Sequence, residues 1–469
     1  MEGTFVIVGG GISGVTCAES ISFLAPEEKV ILITASSLIK TITNVVPLGK
    51  VLFQFDVEER DTSSLSRENS SVTVLQDTVS EVNPKERLVK TEGGRIIKYQ
   101  KLCLCTGARP KIIAENPYVI GIRDTESVTN FLEKIKGARR VLVVGNGGIA
   151  TEIVYKIRGI DVIWVIKDKH ISATFVDPGA AEFFREKLQK KSTSEEKPSL
   201  EKKCFKRARY SVSGEKSAKD GPALGPDWYN FKLTDFPVLP AEVKVEYQCE
   251  VSSISSESKD SEEVKWPIYA DLTNGERVGC DLIVSATGVI PNANLLGLED
   301  LKKGEDGGYL VDWKLETSQE DIFAAGDVCS AGWELGSHWF QMRLWTQAHQ
   351  MGQYAAKSMF SLLRKEEFYQ DFCFELFTHV TRFFDYKVVL LGLYNGQKLN
   401  QDYEILLRVT KGEEYVKLIL KNGKMQGAVL IGETDLEEMC ENLILNQLDL
   451  SIYGADLLNP DIDIEDYFD

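Results

Sequence analysis

Phe5-Val-Ile-Val-Gly-Gly-Gly-Ile-Ser-Gly14 is the stretch of sequence that decides the fold. The four apolar residues 5–8 predict a short buried β-strand, and the residues after Gly14 predict a helix. Between them, Gly9, Gly11 and Gly14 have the G-x-G-x-x-G spacing of a dinucleotide-binding turn. The first glycine permits the tight turn, the second lets the backbone approach a pyrophosphate, and the third lets the helix pack against the strand. The stretch therefore predicts a dinucleotide site whose phosphates face the N-terminus of the helix.

A second unit of the same kind is Arg140-Val-Leu-Val-Val-Gly-Asn-Gly-Gly-Ile-Ala-Thr-Glu152. Here Gly145, Gly147 and Ala150 have G-x-G-x-x-A spacing after an apolar strand. Two such turns in one chain predict two dinucleotides, and a tightly held flavin with an exchangeable nicotinamide is the usual reason to build both. The predicted fold class is α/β, with two Rossmann-like domains, the second nested in the first, and a further α+β domain at the C-terminal end.

Size, charge and cysteine content limit the classes of function. The chain has 469 residues, 43% of them apolar, enough for two or three domains with full cores. A net charge of −17 argues against direct binding to nucleic acid or to an acidic membrane surface. No apolar run is long enough to span a membrane, and the predicted first strand leaves no room for a signal peptide. Nine scattered cysteines predict a reducing compartment, cytosol or nucleus, rather than a disulfide framework.

Candidate contacts to the first dinucleotide lie at the ends of two strands. Lys29-Val-Ile-Leu-Ile-Thr34 predicts the second strand, whose end usually carries an acid for the ribose. Because Thr34 stands there, we expect a hydrogen bond to the ribose without a charge. Lys40 follows, either as a cation for the pyrophosphate or flavin or as an exposed lysine. Asp321-Ile-Phe-Ala-Ala-Gly-Asp327 predicts a strand ending in an aspartate that accepts a hydrogen bond from a sugar-alcohol hydroxyl.

The strand Val162-Ile-Trp-Val-Ile166 should end beside the adenosine ribose of the nicotinamide cofactor. No acid stands at the strand end to repel a 2′-phosphate, and Lys167 attracts one. This pattern favours NADPH, while Asp168 leaves the use of NADH open. Farther along, Thr287-Gly288 repeats Thr106-Gly107, which marks the two units as structural repeats. We assign Gly288 to the nicotinamide site on that basis.

Residues 189–241 differ in composition from the rest of the second domain. Hydrophobic periodicity disappears, and from Arg185 to Lys219 the sequence carries 12 Lys or Arg against 5 Asp or Glu. We interpret residues 189–241 as a basic insertion, either a solvated loop or a docking arm for an acidic partner or RNA.

The chain beyond residue 366 predicts a third domain. A β-hairpin is expected around Asn422-Gly423, and Thr434-Asp-Leu-Glu437 has the pattern of a capping box that opens the last helix. The end is acidic, and Ile462-Asp-Ile-Glu-Asp-Tyr-Phe-Asp469 suits either a partner-binding tail or a solvated one.

Together, these motifs resemble the flavin-dependent pyridine nucleotide-disulfide oxidoreductases over about residues 3–360. The motifs that occur in that family's order are the Gly9–Gly14 turn, Thr106-Gly107, Gly145–Glu152, Thr174-Phe-Val-Asp-Pro178, Ala286-Thr-Gly288 and Ala324-Ala-Gly-Asp327. The resemblance implies that FAD binds at Gly9, Gly11, Gly14, Thr106, Gly107 and Asp327. It implies that NAD(P)H binds at Gly145, Gly147, Ala150 and Glu152, with Glu152 near the nicotinamide.

The resemblance also suggests a division into domains. Residues 1–111 and 282–365 form the predicted FAD-binding domain. Residues 112–281 form the NAD(P)H-binding domain with its basic insertion, and residues 366–469 form a C-terminal interface-like domain with the acidic tail. Because that family often dimerises through its third domain but carries a His-Pro there, and His379 precedes Val380 here, the oligomeric state stays open.

The cysteines depart from the family pattern. Disulfide reductases of the family place a C-x4-C pair on the helix beside the flavin, and NADH oxidases and peroxidases keep one cysteine there. This chain has no cysteine between Cys17 and Cys103, and the equivalent stretch is Lys40-Thr-Ile-Thr-Asn-Val-Val46. No C-x-x-C is present anywhere. Cys329 is the cysteine that the motifs place near the flavin, either as a redox group or as a packing residue.

Two classes of function remain. One is an FAD-dependent NAD(P)H oxidoreductase that passes electrons to oxygen, to a quinone-like small molecule or to a protein. The other is a redox-gated binding protein with little turnover. The resemblance further implies a role in the oxidative stress response, in cytoplasm and nucleus, through protection of the catalytic subunit of the tRNA-splicing ligase from oxidation.

Overall fold

The computed structural model of the chain describes residues 1–189, 204–210, 243–257, 264–400 and 402–459. The chain divides into two compact units. Unit 1 comprises residues 1–46, 53–109 and 289–375, and unit 2 comprises residues 47–52, 110–288 and 376–469. Because the chain returns to unit 1 at residue 289, the second glycine turn is nested between segments of the unit that carries the first.

Unit 1 is built on a seven-stranded sheet in the order β5-β2-β1-β8-β7-β6, with β21 beside β8. The central strand β1 is parallel to β2 and β8, and β6 and β7 extend the sheet in antiparallel fashion. The apolar residues 5–8 are buried because β1 has a neighbour on each side. The strands are β1 (Glu2–Val8), β2 (Val30–Thr34), β5 (Val72–Gln76), β6 (Val79–Asn83), β7 (Leu88–Thr91), β8 (Ile96–Leu104) and β21 (Ile322–Ala324).

Helices and three two-stranded sheets complete unit 1. Helix α1 packs on helix α6, and the stretch 40–46 lies in strand β3, which pairs with β4. This hairpin stands where the resemblance places the cysteine-bearing helix. The elements are α1 (Ile12–Leu24), β3 (Leu38–Pro47), β4 (Phe53–Asp61), α2 (Thr62–Glu68), β9 (Ala108–Pro110), β19 (Val289–Pro291), β20 (Tyr309–Val311), β22 (Cys329–Ala331) and α6 (Trp345–Arg364), with 3₁₀ turns at Gly326–Val328 and Phe372–Phe374.

Unit 2 contains a five-stranded parallel sheet in the order β10-β18-β11-β12-β14. The domain boundary predicted between residues 281 and 282 precedes β18, yet β18 pairs with β11 in this sheet. The chain therefore leaves unit 2 after residue 288. The elements are β10 (Val119–Ile120), α3 (Thr125–Ile135), β11 (Arg140–Val144), α4 (Gly148–Lys156), β12 (Asp161–Val165), α5 (Pro178–Gln189), β14 (Val243–Glu246), β18 (Leu282–Ser285) and a three-stranded sheet of β15 (Val251–Ser255), β16 (Ile268–Leu272) and β17 (Arg277–Cys280).

A six-stranded antiparallel sheet in the order β13-β25-β26-β27-β24-β23 forms the rest of unit 2. Its edge strand β13 comes from the predicted insertion, so part of that insertion joins the C-terminal sheet. Residues 190–203 and 211–242 of this region and the acidic tail from residue 460 lie outside the described residues. The elements are β13 (Cys204–Tyr210), β23 (Thr378–Phe383), β24 (Tyr386–Gly392), β25 (Tyr403–Thr410), β26 (Glu414–Lys421), β27 (Lys424–Ile431), α7 (Glu437–Asn446) and a 3₁₀ turn at Gly454–Leu458.

The capping box predicted at Thr434 is wrong. Helix α7 begins at Glu437, and its N-cap is Leu436, which makes no side-chain hydrogen bond. Asp435 has a φ of 51°, so the chain turns between Thr434 and the helix. The Glu437 carboxylate instead pairs with Lys387 at 2.6 Å.

The described part of the chain offers neither a membrane-spanning helix nor a cluster of metal ligands. No helix there is long and apolar enough to cross a membrane. Among the same residues, no group of three or more His, Cys, Asp or Glu side chains could hold a metal ion.

His349 packs helix α6 against α1 and β4. Its Nδ1 lies 3.2 Å from the Thr16 hydroxyl, and its ring lies 5.7 Å from that of Phe55. Burial lowers the pKa of His349 from 6.5 to about 4, so the folded chain holds a neutral ring. As the pH falls, His349 is protonated in the unfolded chain before it is protonated in the folded chain. The stability that the buried neutral ring contributes is therefore fully present above the pKa of the unfolded chain, and it is lost as the pH falls towards the pKa of the folded chain.

We therefore expect acidification to about pH 5 to remove about 2 kcal/mol of stability through His349. His349→Gln keeps a polar partner for Thr16 and does not titrate. The free energy of urea unfolding is measured for both proteins at neutral pH and at about pH 5. The decrease between the two pH values should be larger in the wild type than in His349→Gln by about 2 kcal/mol. An equal fall in both proteins would show that His349 does not cause the acid sensitivity.

Candidate functional site

The first glycine turn joins β1 to α1 at the carboxyl end of the sheet in unit 1. Gly9 has a φ of +121°, and a Cβ there would lie 2.1 Å from the carbonyl oxygen of Cys105. A Cβ on Gly14 would lie 1.9 Å from the carbonyl oxygen of Gly9. A Cβ on Gly11 would meet no atom within 4 Å. The fold itself therefore requires the first and third glycines, whereas the second leaves open space at the N-terminus of α1, a cradle that fits a pyrophosphate.

The structure brings Thr34 and Lys40 to this turn. Thr34 is buried, and a Cβ built on Gly10 would lie 2.5 Å from its hydroxyl oxygen. The main-chain N–H of Lys40 donates to the carbonyl of Gly10 at 2.9 Å. The Lys40 ammonium lies 3.5 Å from the carboxylate of Glu59 on β4. Thr34 therefore packs against the turn, and Lys40 anchors β3 across it while its charge is paired with Glu59.

Thr106 and Gly107, next to the turn at the end of β8, are held by the side chain and main chain of one residue that the motifs do not indicate. Asn292 donates from Nδ2 to the carbonyl of Thr106 at 2.9 Å, and its carbonyl accepts the Thr106 hydroxyl at 2.9 Å. The Asn292 N–H donates to the carbonyl of Gly107 at 2.9 Å. Three hydrogen bonds thus fix both candidate FAD residues. No local spacing in the sequence predicts these bonds, because Asn292 lies far from residues 106 and 107 in the chain.

Asp327 lies in the 3₁₀ turn after β21, where Gly326 has a φ of +79°. The buried guanidinium of Arg343 donates from Nε to the carbonyl of Asp327 at 2.9 Å. The same guanidinium donates to the carboxylate of Asp306 at 2.5 Å. Burial would raise the pKa of Asp306, but hydrogen bonds from Ser330 and Arg343 outweigh it, so the pKa lies below its usual range. Arg343 therefore fixes the turn that carries Asp327.

Cys329 follows this turn and is fully buried. Its thiol donates to the carbonyl of Gly326 at 3.2 Å. Burial raises the pKa of Cys329 to about 12, so it stays a thiol at neutral pH. A packing role accounts for these contacts. The other cysteines whose side chains are described are also buried and unpaired by disulfides: Cys17, Cys103, Cys105, Cys249, Cys280, Cys373 and Cys440.

We expect these eight thiols to be inert in the native protein because thiolates, not buried thiols, react with alkylating agents. Treatment with N-ethylmaleimide at neutral pH, followed by peptide mass spectrometry, should find them unmodified. Flavin reduction by NAD(P)H should be unchanged by the treatment. Denatured protein, in which all eight should react, is the control, and rapid labelling of native Cys329 would contradict the expectation.

The second glycine turn, in unit 2, repeats the geometry of the first. Gly145 follows the central strand β11 with a φ of +127°, and a Cβ there would lie 2.0 Å from the carbonyl oxygen of Ala286. Gly147 is the N-cap of α4, and Ala150 is fully buried in that helix. The main-chain N–H of Ala286 donates to the carbonyl of Val144 at 2.8 Å, as that of Cys105 donates to Val8 at 2.7 Å. The second turn therefore fits a pyrophosphate at the N-terminus of α4.

The remaining candidates of the second site lie near this turn and at its neighbouring strands. Glu152 is buried in α4, two residues after Ala150. Gly288 has a φ of +109° and accepts the Lys111 N–H at 2.9 Å. Lys167, after β12, is exposed. Asp168 is half-buried and accepts a hydrogen bond at 2.9 Å from the side chain of Asn146, a residue inside the glycine turn that the motif leaves unspecified.

Comparison with known proteins agrees with this geometry. The sequence profile described as Pyridine nucleotide-disulphide oxidoreductase matches residues 3–194 and 239–352. The human pyridine nucleotide-disulfide oxidoreductase domain-containing protein 1 is 48% identical over 496 residues, covering 100% of this chain and 98% of the human protein. The chain belongs to the pyridine nucleotide-disulfide oxidoreductase family.

More distant similarities are found in sequence and in fold. An NADH oxidase of Methanocaldococcus jannaschii is 25% identical over 342 residues, covering 69% of this chain and 62% of that protein. The ferredoxin reductase for the CYP199A2 system of Rhodopseudomonas palustris has the same fold, with a TM-score of 0.70, 18% identity and coverage of 99% of both chains. The predicted family and fold class are confirmed, and FAD and NAD(P)H are the cofactors of this family member.

Proposed function

We propose that this family member is an FAD-dependent NAD(P)H oxidoreductase that works without a redox-active cysteine pair. The observation that carries the proposal is the pair of glycine turns, each following the central strand of its own sheet. Unit 1 binds FAD at Gly9, Gly11 and Gly14, and unit 2 binds the nicotinamide nucleotide at Gly145 and Gly147. Family membership supports an oxidoreductase of this class.

The two cofactors supply the redox chemistry, a hydride transfer from nicotinamide to flavin. The chain contributes binding and orientation. Main-chain N–H groups at the start of α1 would bind the pyrophosphate, while Asn292 holds Thr106 and Gly107, and Arg343 holds the turn of Asp327. None of these residues has to exchange a proton, so the reductive half-reaction needs no protein acid, base or thiol.

The cysteine positions support an acceptor that reacts with the flavin directly. The stretch 40–46 contains no cysteine and forms a strand, and the described thiols are buried. The stretch in which the family places its redox-active cysteines therefore has none, which supports electron transfer without a dithiol relay. Oxygen, a quinone-like molecule or a redox protein would then take electrons from the flavin itself.

Anaerobic stopped-flow absorbance of the purified holoprotein, first with NADPH and then with NADH, tests the proposal. Rapid bleaching of the flavin band by either nucleotide is the expected result. Air is then admitted, and fast, repeated reoxidation supports an oxidase. A protein without flavin, or a flavin that no nicotinamide bleaches, would overturn the assignment of both turns.

A second candidate is a redox-gated binding protein, and slow reoxidation in air would favour it. The absence of cysteine from the stretch 40–46 and the opposite charges of the basic insertion and acidic tail support this candidate. We propose that the partner is the catalytic subunit of the tRNA-splicing ligase, which the chain would protect from oxidation in cytoplasm and nucleus. The family resemblance of the motifs supports this role in the oxidative stress response.

Pull-down of purified ligase subunit by the oxidised and the NADPH-reduced protein tests the partner. Deletions should remove residues 211–241 or 460–469 and keep residues 204–210, because β13 completes the C-terminal sheet. Replacement of the tail by an equally long Gly-Ser segment is the matched control for chain length. If both deletions bind ligase as the full chain does, the insertion and the tail are not docking arms.

A further inference from the structure

The end of β12 carries three charged residues in a row, Lys167, Asp168 and Lys169. In a Rossmann unit this position meets the adenosine ribose, where a carboxylate binds the 2′-hydroxyl of NADH and a cation suits the 2′-phosphate of NADPH. Asp168 is the only Asp or Glu between Val165 and Asp177. The position of the Asp168 carboxylate therefore determines whether the site favours NADH or NADPH.

Asn146 holds that carboxylate. Its Nδ2 donates to Oδ2 of Asp168 at 2.9 Å and to the carbonyl of His170 at 2.9 Å. Its Oδ1 accepts the main-chain N–H of Ser172 at 2.6 Å. Because the acceptors lie on the nitrogen side and the donor on the oxygen side, the network fixes the orientation of the amide. Asn146 is 7% exposed, so water does not compete effectively for these bonds.

The two lysines have a different environment. Lys167 and Lys169 are exposed, whereas the aspartate between them is half-buried against the glycine turn. The carboxylate of Asp168 is therefore partly removed from solvent, whereas the ammonium groups of Lys167 and Lys169 face solvent. Such a surface attracts a phosphate and offers a ribose hydroxyl no free carboxylate.

We propose that Asn146 is a specificity-determining residue of the nicotinamide site. It holds the carboxylate of Asp168 against the glycine turn. The charged groups that face a nucleotide at the end of β12 are then Lys167 and Lys169, which select the 2′-phosphate of NADPH. Asn146 acts through Asp168 and is a positioning residue. The inference rests on the proposed function, since it requires that unit 2 binds NAD(P)H at this turn.

Adenosine 2′,5′-bisphosphate and 5′-AMP are the probes, because they differ in the 2′-phosphate and do not reduce the flavin. Calorimetric titration of the full-length holoprotein gives a dissociation constant for each. The wild type should bind the bisphosphate at least about tenfold more tightly than AMP, and Asn146→Ala should reduce that ratio about tenfold. Asn146→Ala/Asp168→Ala should restore the ratio, because no carboxylate remains to be released.

Thr151→Val is the matched control. The Thr151 hydroxyl on α4 lies 2.9 Å from the hydroxyl of Ser172, the residue whose N–H Asn146 accepts, so the variant perturbs the same loop and should leave the ratio unchanged. Asp168→Asn tests the inference even if Asn146→Ala does not fold. A carboxylate held by Asn146 makes little contribution to AMP binding, so the dissociation constant of AMP should differ less than about threefold between Asp168→Asn and the wild type.

Two failures can be told apart. If Asp168→Asn weakens AMP about tenfold or more, or if folded Asn146→Ala keeps the wild-type ratio, Asn146 does not set specificity. If the wild type binds neither probe nor NADPH, the assignment of the nucleotide site to unit 2 fails instead.

Discussion

Gly11→Ala is expected to remove FAD from the protein without unfolding it. Gly11 has a φ of −78° and a ψ of 179°, which alanine adopts without strain, and a Cβ there meets no atom within 4 Å. The same Cβ would point into the space that the pyrophosphate needs at the N-terminus of α1. We expect the dissociation constant of FAD to rise about 100-fold or more, a loss of roughly 3 kcal/mol.

Titration of apoprotein with FAD measures this effect, and thermal unfolding of the two apoproteins measures the fold. The unfolding temperatures should agree. Gly14→Ala is the contrasting variant, since its Cβ would lie 1.9 Å from the carbonyl oxygen of Gly9 and should lower the stability of the apoprotein as well. Stoichiometric, tight FAD in purified Gly11→Ala protein would show that the phosphates do not lie at this turn.

The features that the sequence predicted best are those with a local steric cause. Gly9 and Gly145 each follow a buried strand and have a φ above +120°, a region that L-residues avoid. Local periodicity predicted the strands beside them, and the Asn422-Gly423 pair predicted the β26–β27 hairpin. Each of these predictions depends on residues that are close together in the chain.

The features that the sequence did not reveal depend on partners far apart in the chain. Arg343 acts through Asp306 and Asp327, and no spacing rule links these residues. Strand β13 lies in a stretch without periodicity, yet it pairs with β25 about 200 residues later, where the sheet edge supplies the main-chain partners. Pairing with a distant strand, and not the local composition, makes such a segment a β-strand.

The electrostatic partners of the candidate residues belong to the same class. The position of Lys40 in the sequence predicts either a cation for the cofactor or an exposed lysine. Its pairing with Glu59 follows from the β3–β4 hairpin, which replaces the helix expected from the resemblance. Asn146 occupies a variable position of the turn motif, so the motif gives it no role. Only the fold shows that it reaches Asp168 after β12.

Gly145→Ala is expected to stop reduction by nicotinamide while FAD stays bound. An alanine cannot easily adopt the φ of +127°, and its Cβ would lie 2.0 Å from the carbonyl oxygen of Ala286. The ends of β11 and β18 must then shift, and with them the N-terminus of α4 that faces the nucleotide phosphates. We expect the rate of flavin reduction by NADPH to fall about 100-fold or more. Anaerobic stopped-flow absorbance measures that rate.

The flavin itself provides the internal control for this variant. The turn proposed to bind FAD belongs to unit 1, so the purified variant should keep its flavin, and dithionite should bleach it normally. Gly275→Ala is the matched variant in unit 2, because Gly275 also has a positive φ, +88°, but a Cβ there meets no atom within 4 Å. That change should cost about 1 kcal/mol of stability and leave reduction intact. A wild-type rate in Gly145→Ala would mean that the nicotinamide nucleotide does not bind at this turn, because a displaced cradle cannot orient its phosphates as before.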